Sequence, residues 1–385
     1  MAGILYYASK ALGDKLGELQ REAWVERKAR EKFEENQKDC LFTVLSLMPE
    51  LSERLFERVD VDVLISELRS LANKPATPGP DATYYNEDTP YYTPFSAPEP
   101  VLARTKVEIW EDIKSKSFVR TISSSYLLVF LTLFVHIQLN VVGRYTYIDS
   151  VVTQFESNAD ESKASLLAPS CIDFEDQHHY LLLSWWLLNR GWRILLKDVR
   201  GSVNQVIANL PLKKRITHRE LSKYIDQVRA GVESSLDFIN LYHYFLPVSD
   251  EELSEFLALN GLAPDLVINK TFNKLIHQTR DVLESSDFRS VLGGCLNAVF
   301  GQFLQTVKES FPPADVPPTP STPLTTETKG DSLRNESLDK VVEEFEAFSV
   351  QPEPKVAVAQ LLPRISRESN VILSSSQNLY LNVSV

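Results

Sequence analysis

The sequence predicts an all-α protein, a single elongated bundle of long helices interrupted by Pro-rich disordered loops. Three observations carry that reading. Glycine is scarce, 13 residues in 385, whereas an all-β chain needs Gly-bearing turns at short, regular spacing. The 21 prolines are clustered, 13 of them in the two stretches 74–105 and 311–336. Elsewhere, apolar residues recur at the three- and four-residue intervals of one helix face.

The elements follow in order. Residues 10–48 are almost free of Gly and Pro after Gly17. They read as one helix, charged to Asp39 and apolar from Cys40 to Met48, and Pro49 is expected to interrupt it. Leu51, Leu55, Val59, Val63, Leu64 and Leu68 continue a helical stripe. Lys74–Thr105 interleaves seven prolines with tyrosines and reads as a disordered loop. Lys106–Val142 is one long element, followed by a polar loop at Gln154–Ser170. Phe174–Leu210, crowded with Leu and Trp, is a second long element. Thr217 and Glu220 form a capping box that opens a helix running to Asn240. Pro264–Phe311 reads as another long helix with Pro at its start. After the second Pro-rich stretch, Leu338, Val341, Val342, Phe345 and Phe348 repeat the helical pattern. The tail Asn370–Val385 has β-like composition and no obvious partner strand.

The balance of charges narrows the function. Forty Lys and Arg against 52 Asp and Glu give a net charge of −12, the wrong sign for a nucleic-acid backbone binder. Three widely spaced cysteines, Cys40, Cys171 and Cys295, fit a reducing compartment. Ile122–Val142 is long enough to cross a bilayer, which takes about 20 residues. Its dense apolar part is only Tyr126–Val135, with polar residues at both ends. A buried core helix is the preferred reading; an integral membrane scaffold spanning at 122–142 is the alternative.

Catalytic motifs are missing: there is no phosphate-cradling Gly-rich loop, no HExxH and no GxSxG. His178 and His179 are adjacent, so on a helix they diverge by about 100° and cannot clamp one metal. Cys171 near them lacks an orienting group for a nucleophile. The expectation is therefore a non-enzyme with no cofactor and no metal. What remains is Lys106-Val-Glu-Ile-Trp110-Glu-Asp-Ile-Lys114, an apolar cluster among charges directly after a loop. Trp110 either caps the core at a helix start or stands at a groove mouth as an interface anchor.

Several ordered blocks resemble a known family. They are Phe33-Glu-Glu-Asn-Gln-Lys-Asp-Cys40 with Thr43-Val-Leu-Ser46 and Pro49; Val107-Glu-Ile-Trp-Glu-Asp-Ile-Lys114 with Ser117-Phe118; and Gln138-Leu-Asn140, Gly143 and Tyr145-Thr-Tyr-Ile-Asp149. Leu166-Leu-Ala-Pro169, Thr279-Arg-Asp-Val-Leu-Glu-Ser-Ser-Asp-Phe288 with Val291-Leu292, and Cys295-Leu-Asn297 continue the series. Together they resemble the cytosolic domain of the peroxin-3 family over most of residues 15–310, and the insertions suggest a fungal-type member. The resemblance implies a docking receptor at the peroxisomal membrane, facing the cytosol, and also at the endoplasmic reticulum during biogenesis. It implies that peroxin-19, the carrier of peroxisomal membrane proteins, lays an amphipathic helix in an apolar groove. Further implied partners are adaptors for peroxisome inheritance and pexophagy. Carried over residue by residue, Trp110 matches the key anchor, Ile113 a groove leucine, and Lys106 a lysine at the same helix start. Leu68 and Arg69 fall on a groove Leu-Lys pair, and Gln360 stands where some relatives have a partner-contacting Lys. Residues 1–14 read as the remnant or end of an N-terminal membrane anchor, and 15–385 as the helical cytosolic domain.

Overall fold

A computed structural model describes residues 2–73, 104–156, 172–235, 241–262, 267, 269–311 and 354–374. The expected loops at 74–105 and 311–336 therefore lie almost wholly outside the described residues. So do the helix expected at 338–348, Cys171, most of the Gln154–Ser170 loop, and the tail beyond Ser374. Within the described residues the chain is helical apart from one two-stranded ribbon.

Helix α1 spans Ala2–Arg58, α2 Asp62–Asn73 and α3 Lys106–Glu156. α3 is the axis of the bundle: every residue from Ser117 to Leu131 is buried. It is the one described helix long and apolar enough to cross a membrane, and in this structure that segment is core. Its aromatic rings knit the interior. Phe130 meets Phe245 at 4.9 Å with the rings tilted, and Tyr126 meets Phe300 edge-on at 5.4 Å, separations at which ring pairs attract beyond their buried area.

α1 runs antiparallel to α3. Asn36 donates to Asn140 at 2.6 Å, and Tyr147, further along α3, reaches back to the Val25 carbonyl. The buried stripe Cys40, Val44, Met48, Leu51, Leu55 and Val59 docks the helix. Pro49 does not interrupt α1, contrary to the sequence expectation. Pro49 is exposed, and buried stripe residues flank it on both sides. Each such side chain contributes about 1.5–3 kcal/mol, which together outweighs a proline penalty of about 3 kcal/mol.

The single element expected at 174–210 is broken. Helix α4, Phe174–Leu181, is followed by a helical turn at Ser184–Trp186, a π-helical turn at Leu187–Gly191, and then α5, Trp192–Val206. The cause lies far along the chain. A Cβ on Gly191 would stand 1.9 Å from the carbonyl oxygen of Tyr244, and the indole of Trp186 donates to the His243 carbonyl at 3.0 Å. The turn Leu241–Tyr244 is wedged against this point, and only glycine permits that approach.

The capping box at Thr217 and Glu220 forms as expected, with reciprocal bonds of 2.8 and 3.1 Å, and opens α6, His218–Ser235. α7 is Asp250–Leu259. The element expected at 264–311 is two helices, α8 Lys270–Glu284 and α9 Ser286–Lys308. Ser285 divides them, ending one in extended backbone while its hydroxyl caps the next at Phe288. The last helix, α10, Val358–Ser374, carries residues 370–374 as helix despite their β-like composition. It is led in by strand β2, Val356–Ala357, paired antiparallel to β1, Arg215–Ile216, and it packs along α3.

Candidate functional site

The region marked by Trp110 is built by the start of α3 and the end of α2. Thr105 and Glu108 set the start: the Thr105 N–H donates to Glu108 at 3.0 Å, and the Glu108 N–H to the Thr105 hydroxyl at 3.3 Å. This Thr-x-x-Glu box was legible in the sequence and passed over. It places Lys106, Trp110 and Ile113 at four- and three-residue spacing on one face of α3. Exposure falls along that face: Lys106 is exposed, Trp110 half-buried against the core, and Ile113 buried.

α2 lies antiparallel beside this face. Lys116 donates to the Asp60 carbonyl and Arg120 to Asp62, both at 3.2 Å, so the start of α2 lies beside the third and fourth turns of α3. At the other end the Arg104 guanidinium pairs with Asp112 and stands 4.0 Å from Glu67. Leu68, next to Glu67, is thereby brought to the Trp110 end of the bundle, half-buried on the core, while Arg69 points to solvent. One helical turn on, Leu71 packs against the same core. The sequence reading omitted Leu71, although Leu64, Leu68 and Leu71 at spacings of four and three were a sufficient signal.

Ile113 and Gln360 stand apart from the other four. Ile113 is only 3% exposed, so it backs the surface from beneath and offers no open face. Gln360 is exposed on α10 and joins this end only through an intermediary. The Leu210–Leu212 connection accepts a 2.6 Å bond from Lys114 on one side and a 3.1 Å bond from the Ala359 N–H on the other. Lys114 itself is 1% exposed. It also reaches the Ala208 carbonyl at 3.2 Å and pairs with Glu111 at 2.5 Å. An ammonium there satisfies the carbonyls left open where α5 ends, and so ties the α3 start to the rest of the bundle. At this end of the bundle Trp110, Leu68 and Leu71 are each partly buried against the core, and the ends of α2 and α3 also carry the exposed Lys106 and Arg69 and the acidic Glu67, Glu108 and Asp112.

Among the described residues no group of three or more His, Cys, Asp or Glu is placed to hold a metal. His178 and His179 diverge on α4 with ring centroids 6.2 Å apart. Burial pushes the Cys40 thiol up to about 12, which leaves it without nucleophilic character at neutral pH.

Comparison with known proteins gives the family. The Peroxin-3 family model matches residues 1–93 and 74–384. "Peroxisomal biogenesis factor 3" of Rattus norvegicus is 30% identical over 325 residues, covering 81% of this chain and 75% of its own. The protein of the same name from Yarrowia lipolytica is 26% identical over 347 residues, covering 80% and 79%. "Peroxisomal membrane protein PEX3" of Komagataella phaffii is 24% identical over 259 residues, covering 62% and 56%. With its family pattern matched along nearly its whole length and this all-helical bundle, the chain belongs to the Peroxin-3 family.

Proposed function

We propose that this chain acts in peroxisome biogenesis as a docking receptor, taking an amphipathic helix of peroxin-19 on the Trp110 end of the bundle. The observation that carries the reading is the half-buried state of Trp110. An indole already desolvated on one side loses little freedom on binding and gains most by covering its remaining face. Leu68 and Leu71 extend the apolar surface for the i, i+3, i+4 anchors of a partner helix. Ile113 holds the indole from below, and Arg69 and Lys106 form the rim. Family membership, and relatives named as biogenesis factors and as a peroxisomal membrane protein, support a place at that membrane. On this reading the bundle faces the cytosol, and receptor work extends to the endoplasmic reticulum during biogenesis. Inheritance and pexophagy adaptors would use other faces. The test is calorimetric titration with a peroxin-19 N-terminal peptide, in the chain as given and with Trp110→Ala. Saturable binding that the substitution abolishes or weakens severely is the expected result. Equal affinity in both removes Trp110 from the interface, and no binding in either removes the receptor reading.

A further inference from the structure

A cleft of about 820 Å³ separates the last turns of α1 from the first turns of α5. Arg54 and Arg58 stand on one wall, Arg193, Lys197 and Arg200 on the other, with Glu57 the one acid among the lining residues. Five cations against one carboxylate is a strong local inversion in a chain of net charge −12. Arg54 is engaged, bonded to Glu50 at 2.7 Å and to the Leu188 carbonyl at 3.0 Å. Arg58, Lys197 and Arg200 are exposed and have no ion-pair partner among the described residues. Arg193 rests over the Trp192 ring at 5.6 Å.

Positions 193, 197 and 200 share one helix face, where like charges three and four residues apart repel. A bound anion would relieve that repulsion. Trp192 lines the same cleft, is 4% exposed, and its indole N–H is buried with no acceptor. A buried N–H without an acceptor is unfavourable, and a ligand oxygen reaching it would remove that cost. We propose that this cleft binds a compact ligand bearing clustered phosphate groups. The cation row extends about 10 Å along the helix axis at 1.5 Å per residue, the width of one polyphosphorylated ring. The volume also falls in the range of small-molecule sites, roughly 300–1,000 Å³. Arginine forks match phosphate oxygens two at a time. A soluble polyphosphate and a phosphorylated lipid headgroup share that chemistry.

The experiment is calorimetric titration of the full chain with inositol hexakisphosphate, beside sedimentation with phosphatidylcholine vesicles with and without phosphatidylinositol bisphosphate. Saturable binding that weakens with added salt is expected, with about tenfold loss or more in Lys197→Glu and in Arg200→Glu. Lys197→Gln and Arg200→Gln serve if either reversal disturbs the circular dichroism. Trp192→Phe keeps every charge and should still weaken binding severalfold, which a diffuse basic patch would not show. Trp110→Ala should change nothing, separating this site from the docking surface. Binding of the soluble ligand alone assigns a free polyphosphate, and co-sedimentation dependent on the bisphosphate lipid assigns a headgroup. Three results overturn the proposal: no saturable binding, affinity unmoved by the charge substitutions, or equal affinity for a poly-glutamate peptide of matching charge.

Discussion

Replacing Arg120 tests how a buried cation holds four helices at once. The side chain is 2% exposed and lies on α3. It bonds the Ser366 hydroxyl of α10 at 2.6 Å and the Ser366 carbonyl at 3.2 Å. It also pairs with Asp62 of α2 at 3.2 Å and covers the Phe56 ring of α1 at 5.1 Å. Each bond from a charged donor to Ser366 contributes about 1.5–3 kcal/mol, and the ring contact about 0.5–2 kcal/mol. Asp62 is 79% exposed, so water screens that pair to about 1 kcal/mol or less. Truncation returns the guanidinium's desolvation cost but takes the charged donor from the buried Ser366 hydroxyl, while the Ser366 carbonyl keeps the Ser369 hydroxyl at 2.6 Å, for a net loss of about 2–4 kcal/mol. Arg120→Ala should therefore destabilise by that amount, Arg120→Met by less because its stem still packs, and Asp62→Ala by about 1 kcal/mol or less. Urea unfolding followed by far-UV circular dichroism measures all three without the ionic screening of guanidinium. If Asp62→Ala cost as much as Arg120→Ala, the ion pair would be the working contact and the assignment to Ser366 would be wrong. An Arg120→Met variant as stable as the parent would show that Ser366 needs no donor.

Other outcomes follow from the same contacts. Trp110→Ala should weaken a peroxin-19 helix by at least about 2 kcal/mol, near thirtyfold in Kd, while Lys106→Ala and Arg69→Ala each cost under about 1 kcal/mol. Circular dichroism should show all three folded. Gly191→Ala drives a methyl into the Tyr244 carbonyl, and thermal melts should place it among severe core lesions, at about 4 kcal/mol or more; a mild shift would mean the turn at 241–244 can move aside. Burial lowers the pKa of His136 from its ordinary 6.5, so the unfolded chain binds its proton more readily than the folded one. That stability is present above 6.5 and lost as the pH falls through and below it, so His136→Leu should lose less melting temperature than the parent between neutral and mildly acidic buffer. Cys40 should resist alkylation at neutral pH until the chain unfolds, as peptide mass mapping would show.

Helix identity was legible wherever a segment's own residues decided it. The Thr217 and Glu220 box needs only four consecutive residues, and the α1 stripe from Cys40 to Val59 needs only its spacing. What escaped the sequence was settled by distant partners. Pro49 keeps its helix because side chains on both sides of it are buried by α3, a condition no local signal encodes. The π-turn before Gly191 exists because Tyr244 presses on it from 53 residues away. Strand β1 pairs with residues 140 positions later, so two residues of extended chain carried no pattern of their own. The candidate site divides in the same way. Lys106, Trp110 and Ile113 are fixed by one helix and its cap. The depth of Ile113 and the remote station of Gln360 depend on how α5 and α10 arrive around them.

The late arrival of α10 also has a consequence for synthesis. Its place along α3 is filled by the last described helix of the chain, and β2 hooks onto β1 only after residue 357 has emerged. During translation the axis helix therefore waits with one flank open, and local contacts alone cannot close it. A ribosome that stalls within the preceding 45 residues would release a product that exposes core surface to chaperones and proteases. Burial of the axis thus waits on translation of α10, and a chain that stops short of that helix leaves one flank of α3 open.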